Sequence, residues 1–336
     1  HGRSVLWVGV IRSVGLYLGG NWLVQGSSRV ASAFGVSVLI IGLTIVAIGT
    51  SMPELIVSLL SAARGVSGIA LGNVIGSNIA NIGLILGLTG VIAPIAVHET
   101  LIKREIPILL IVTLFASLLI LDGFISRLDG VLLLFGFVVY NLLLYFLARQ
   151  QAIQHDAEME AQEATTGKEV VDPGDSVNLP LEVGRLLFGI VVLVIGANLL
   201  VDGASNIALA LGIPPLVIGV TMVAFGTSVP ELATALTAAF KGESDIAVGN
   251  VIGSNVANLL LVLGATAFVL PIEIGSSTEG VGSAELSIVE FGVMIAFTLL
   301  LLPFARNREF SRIESAIFFG AYLAFVAYTF LSGGAR

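Results

Sequence analysis

Residues 44–89 and 221–266 are one passage written twice at a constant offset of 177, with 28 of 46 positions identical. Within it, AIGTSMPE at 47–54 returns as AFGTSVPE at 224–231, and GNVIGSNIAN at 72–81 returns as GNVIGSNVAN at 249–258. Upstream, Gly19, Asn21, Leu23, Val24, Gly26 and Ser28 match Gly196, Asn198, Leu200, Val201, Gly203 and Ser205 at the same offset. Such a chain folds as two copies of one unit. What remains open is how the copies are oriented.

Hydropathy answers that. The chain is 56% hydrophobic and 11% charged, against about 25% charged residues in a typical soluble domain. Apolar runs long enough to span a bilayer, about 20 residues each, recur throughout. We expect an all-α polytopic membrane protein with ten transmembrane helices, near 4–30, 37–62, 68–90, 105–122, 129–148, 183–209, 214–239, 245–270, 284–303 and 312–332. Five spans per copy is odd, so the second copy re-enters the membrane upside down, giving two inverted five-helix repeats. The expected division is 1–148, an acidic linker at 149–182, and 183–336. The linker carries His155, Asp156, Glu158, Glu160, Glu163, Glu169, Asp172 and Asp175, so the net charge of −8 reports a loop rather than a partner. It reads as a solvated linker with a short helix near 152–164, being too short for a sensor domain. There are no cysteines, hence no disulfide framework, and no cleavable signal peptide is expected at the start.

Basic residues set the orientation. Arg29, Lys103, Arg104, Arg149, Lys168, Arg185, Lys241, Arg306, Arg308 and Arg312 fall on the linker side, against Arg3, Arg12, Arg64, Arg127 and Arg336 on the other. The linker is therefore expected in the cytoplasm of a cell-membrane protein, with both termini outside.

The repeated motifs interrupt the spans that carry them. Pro53 and Pro230 remove a backbone donor and clash with the carbonyl four residues earlier, Gly49 and Gly226. This predicts broken second and seventh spans with carbonyls freed around Ala47–Thr50 and Ala224–Thr227. Non-helical backbone is tolerated at that depth only where it is buried in protein or lines a cavity. Close by stand Thr50, Ser51 and Glu54, and their copies Thr227, Ser228 and Glu231. In the third and eighth spans, Ser77 and Asn81 share a helix face, as do Ser254 and Asn258. Gly72 with Gly76, and Gly249 with Gly253, supply small-xxx-small spacing for close helix approach. Asn73, Asn78, Asn250 and Asn255 read as supporting or capping groups. Carbonyls, hydroxyls, amides and carboxylates are the oxygen set of a hard cation such as calcium, and sodium uses the same atoms.

A simpler reading exists for most of these residues. A membrane proline often makes only a kink, and Ser, Thr and Asn often bond helix to helix. Two repeated carboxylates fit it poorly, because an unpaired acid in hydrocarbon is expensive. In the span interiors only Arg12 is an obvious basic partner, and its copy position is Gly189. An intramembrane enzyme with Ser51 or Ser228 as nucleophile would need a nearby base, and the spans contain no His or Lys. We expect no catalytic residue, no cofactor and no nucleic-acid partner. A passive cation channel is the alternative from a different class, but a broken-helix site between inverted repeats is a transporter pattern.

GTSMPE…GNVIGSNIAN and GTSVPE…GNVIGSNVAN resemble the two α-repeats of the cation/calcium antiporter superfamily, in its sodium/calcium exchanger branch. The resemblance covers nearly the whole chain. It implies exchange of Ca2+ for Na+ by alternating access, the first and sixth spans sliding against the other eight. By the same resemblance the ion ligands fall on Ala47, Thr50, Ser51, Glu54, Ser77 and Asn81, and on Ala224, Thr227, Ser228, Glu231, Ser254 and Asn258. One departure stands out: many sodium-coupled relatives carry an aspartate where this chain has Asn258. With only two carboxylates, Ca2+ is balanced, but a third Na+ would rest on neutral oxygens. Coupling to H+ or K+ is the alternative.

Overall fold

The computed structural model describes residues 2–65, 67–166, 174, 176–210, 226–273 and 288–333. Helix α1 is Gly2–Ala33. Helix α2 runs as Val38–Ile41, a π-helical turn Gly42–Val46, and Ala47–Thr50. After a break at Ser51, α3 is Met52–Ala63. Helix α4 comprises Ser67–Ala80, a π turn Asn81–Leu86, and Gly87–Ile92. Strand β1 (Ile95–Ala96), helix α5 (a π turn Leu101–Glu105, then Ile106–Ile120), strand β2 (Phe124–Ile125) and α6 (Arg127–Thr166) follow.

The second half repeats the order. It has α7 (Leu179–Ala210), α8 (Val229–Phe240), and α9 (Ser244–Ala257, a π turn Asn258–Val262, Leu263–Val269). Then come β3 (Ile272–Glu273), α10 (Ile288–Ala305), β4 (Glu309–Phe310) and α11 (Arg312–Gly333). The expected seventh span, 214–239, lies partly outside the described residues. The helix expected at 152–164 is present as the end of α6, which runs without a break from Arg127 to Thr166.

Five described helical stretches are long and apolar enough to cross a membrane: Val38–Ala63, Gly68–Ile92, Arg127–Met159, Leu179–Leu199 and Ser244–Val269. Their burial differs sharply, from 94% of the apolar window of Ser244–Val269 to 17% of that of Arg127–Met159. Helix α9 is thus the centre of the bundle and α6 its rim, presenting Leu128, Phe135, Val138 and Leu142 outward. An apolar outer face of that extent suits lipid rather than water.

The halves pack by exchange. β1 pairs antiparallel with β4 (Ile95↔Phe310), and β2 with β3 (Phe124↔Glu273). Each ribbon therefore joins one half to the other. Gly87 packs on the backbone of Ser315 and Phe319 in α11, and its copy Gly264 packs on Gly130 and Leu134 in α6. Helices α6 and α11 each start with a reciprocal capping box. Ser126 exchanges hydrogen bonds with Asp129 at 2.7–3.2 Å. Ser311 does the same with Glu314 at 2.7–3.4 Å. These residues satisfy the orphan N–H groups of a helix start.

Helices α1 and α7 lie against each other through glycine. A Cβ on Gly19 would sit 2.9 Å from Leu193 N, and one on Gly189 would sit 2.6 Å from Leu23 N. Only the bare backbone permits that approach. At one end of the pair, buried Glu182 meets Arg29 of α1 at 3.5 Å and Arg185 at 2.9 Å.

Candidate functional site

The break between α2 and α3 has the geometry that proline imposes. Ser51 caps α3 at φ −82°, ψ 4°, with Pro53 in the first helical turn. Ser228 repeats this ahead of α8 at φ −87°, ψ 2°, with Pro230 in the first turn. Each glutamate then lies in the first turn of its helix, where the unpaired N–H groups and the dipole favour an anion.

The described candidates are all buried: Ala47, Thr50, Ser51, Glu54, Ser77 and Asn81 in the first half, and Thr227, Ser228, Glu231, Ser254 and Asn258 in the second are each at most 7% exposed. Ala224 lies outside the described residues. Several candidates touch across the halves. Thr50 Oγ1 is 3.4 Å from Ser254 Oγ, and Ser254 Oγ donates to the Ala47 carbonyl at 3.4 Å. Glu54 sits beside Thr227, and Glu231 beside both Thr50 and Glu54. Asn81 Nδ2 donates to Asn255 Oδ1 at 2.9 Å. Ser51, Ser77, Ser228 and Asn258 have no side-chain hydrogen-bond partner among the described residues.

The Ala47 carbonyl is less free than the proline argument implied. It accepts Ser51 N at 3.1 Å and lies 3.3 Å from Thr50 Oγ1, because one helical bond survives upstream of the break.

Polar satisfaction marks the same place. Fifteen buried side-chain N or O atoms among the described residues lack a partner, and eleven belong to the repeated motifs. They include Glu54 Oε2, both oxygens of Glu231, Asn81 Oδ1 and both polar atoms of Asn258. Buried polar atoms are nearly always paired in native proteins, and eight of the eleven are oxygens, a concentration that fits a cation held by oxygen ligands. The carboxylates number two: among the described residues no cluster of three His, Cys, Asp or Glu side chains could hold a metal. Hydroxyls, amides and carbonyls would complete the shell.

Sequence reasoning left the other asparagines as generic support, but two of them have defined roles. Asn73 Nδ2 donates to the Glu54 carbonyl at 3.1 Å and to Ser58 Oγ at 3.0 Å, while its Oδ1 accepts from Thr227 at 3.3 Å. Asn250 Oδ1 accepts from Thr50 at 3.0 Å. Ser58 was missed altogether. Its copy is Ala235, so the repeat gave no signal. The π turns were missed too, yet two of them begin on the candidate ligands Asn81 and Asn258. Such turns are frequent at functional sites.

The proximity of the α2 and α9 backbones is set by glycine. A Cβ on Gly253 would lie 2.7 Å from both Leu43 O and the Ala47 Cβ. A Cβ on Gly249 would lie 3.1 Å from Leu39 O. Gly72, the copy of Gly249, has nothing within 4 Å of such a Cβ.

Comparison with known proteins gives a consistent picture. The family described as sodium/calcium exchanger protein matches residues 4–146 and 181–331, two blocks that flank the linker. A putative antiporter, CaxA, from Alkalimonas amylolytica is 38% identical over 308 residues, 92% of each chain. The sodium/calcium exchanger MaX1 of Methanosarcina acetivorans is 33% identical over 94% of this chain and 95% of its own. Among solved structures, the sodium-calcium exchanger NCX_Mj superposes with a TM-score of 0.79 at 35% identity, covering 96% of this chain and 98% of its own.

Proposed function

From the premise that the chain belongs to the sodium/calcium exchanger family of membrane antiporters, we propose that it exchanges Ca2+ for Na+ by alternating access at the Glu54–Glu231 site. The observation that carries this reading is a pair of buried carboxylates, one from each half and within electrostatic reach of each other, among unpartnered oxygens. Two glutamates neutralise one Ca2+ or two Na+, so either load leaves the site electrically balanced. Unbalanced charge at low dielectric is heavily penalised, which makes loading mutually exclusive and the exchange obligatory.

The proposed shell takes the Ala47 carbonyl, Thr50, Ser51, Glu54, Ser77 and Asn81 from the first half. From the second it takes the Ala224 carbonyl, Thr227, Ser228, Glu231, Ser254 and Asn258. The proposed architecture is ten spans in two inverted repeats, with this shell near the midplane. The exchanged strand pairs and the crossed packing of Gly87 and Gly264 support a two-fold relation between halves. The moving part is the α1–α7 pair, held together by backbone contact and by Glu182. The linker is placed in the cytoplasm and both termini outside, from the distribution of basic residues.

The test is radiolabelled Ca2+ uptake into proteoliposomes under Na+, K+ or H+ gradients imposed singly. Uptake that requires an opposing Na+ gradient is the expected result. Uptake driven by K+ or H+ alone would change the coupling ion, and conduction without any counter-ion would overturn the antiporter reading.

A further inference from the structure

A hydroxyl that ligates a cation must turn its lone pairs toward the ion and send its single proton elsewhere. For Ser51, Ser77 and Ser228 no side-chain partner takes that proton among the described residues. The two site threonines differ. Thr50 donates to Asn250 Oδ1 at 3.0 Å, and Thr227 donates to Asn73 Oδ1 at 3.3 Å. Asn250 is the repeat copy of Asn73 as Thr227 is of Thr50, so the same bond is made twice, each time from one half to the other.

We infer that Asn250 and Asn73 are positioning residues, each taking the proton of the opposite half's threonine and so aiming that hydroxyl's lone pairs at the transported cation. The inference rests on Thr50 and Thr227 being ligands, as proposed above.

The amide orientations are consistent with this role. Asn73 has both amide hydrogens engaged, on the Glu54 carbonyl and Ser58 Oγ, which leaves its oxygen for Thr227. Asn250 offers its oxygen to Thr50, and its Nδ2 has no partner among the described residues. The other acceptors near Thr50 are ligands of the proposed ion. Ala47 O is at 3.3 Å and already receives Ser51 N, Ser254 Oγ is at 3.4 Å, and the Glu231 carboxylate stands beside Thr50. A proton sent to any of them would occupy an oxygen that the ion needs. Because each acceptor sits on the other half, the threonines are correctly aimed only while the halves are in register at the site.

Asn250 is the better position to test, since replacing it removes one accepted bond and nothing else that the described residues make. Asn250→Leu, in the reconstituted full chain, should raise half-saturating Ca2+ about fivefold to tenfold, the value of one oriented hydrogen bond. Maximal Na+-driven uptake at saturating Ca2+ should be retained, and unfolding in detergent should remain cooperative. Thr50→Val should also weaken Ca2+, and the double variant should be no weaker than Thr50→Val alone, because without the hydroxyl there is nothing to aim. Additive losses, or normal Ca2+ affinity in Asn250→Leu, would overturn the inference while leaving Thr50 as a ligand. Normal affinity in Thr50→Val would instead remove Thr50 from the shell, and the inference with it. Should the leucine variant not fold, Asn250→Ala enters the same cycle with the same outcomes.

Discussion

Asn81 donates to Asn255 Oδ1 at 2.9 Å, and the mirror-image bond from Asn258 to Asn78 is not made. Asn78 donates instead to the Val74 carbonyl at 2.7 Å, and Asn258 keeps both polar atoms unpartnered among the described residues. The two-fold relation is therefore broken at this pair.

That asymmetry separates two otherwise equivalent substitutions. Asn258→Asp places a carboxylate with no hydrogen-bond donor among the described residues, so it must take a cation or a proton; exchange in this variant should become pH-dependent, with Na+ binding strengthening as pH rises. Asn81→Asp faces Asn255, whose free Nδ2 can turn to donate, so its effect on Na+ and pH dependence should be clearly smaller. Sodium titrations of exchange at several pH values decide this, and equal behaviour of the two variants would count against the asymmetry.

Glu54→Gln and Glu231→Gln should each abolish Ca2+ exchange in folded protein. Glutamine preserves size and removes half the charge opposed to a divalent ion. Near-normal uptake by either variant would take that glutamate out of the site.

Glycine contacts predict unequal tolerance among the glycines of the repeated motif. Gly253→Ala should impair ion binding strongly, since its Cβ would press on Leu43 O and Ala47 at 2.7 Å and drive α9 from α2. A forced misfit of this kind typically destabilises by about 1–3 kcal/mol. Gly72→Ala, with no neighbour within 4 Å, should retain exchange. Calcium affinity and detergent unfolding of both variants give the comparison.

The α1–α7 pair is seated unevenly. Gly20 of α1 lies against α8, with a Cβ there 2.6 Å from Thr237 Oγ1. The copied face of α3, Ile56 and Leu60, is half exposed. Cysteines at 20 and 237 should cross-link in this conformation, whereas cysteines at 197 and 60 should cross-link when the pair slides to the other side. A gradient that favours one product should disfavour the other. Cross-linking that is indifferent to ions would argue for a fixed pair.

The sequence made some parts of this molecule plain for a physical reason. Proline and an acid in an apolar run constrain the backbone wherever they occur, so the breaks at Ser51 and Ser228 and the burial of Glu54 and Glu231 could be read directly. The π turns at Asn81 and Asn258 could not, because an inserted residue alters helical register without a composition of its own. Ser58 escaped because its hydrogen bond to Asn73 depends on how α3 meets α4. The helix read near 152–164 is the end of α6: polar residues signal solvent, but a polar helix can continue an apolar one. There it gains contacts, as where Gln151 accepts Ser37 N at 3.0 Å.

The strand pairs β1–β4 and β2–β3 bear on assembly. A lone first half would have β1 and β2 both without partners, each a two-residue edge whose complement is on the other half. Two such halves meeting about a two-fold axis would satisfy both edges at once, with the same contact made at each end. Self-complementarity of this kind is what a homodimer requires, so the fused chain retains the bonding pattern of a pair of separate subunits. Its two halves, translated as separate polypeptides cut near Gly174, have in these ribbons the means to find each other.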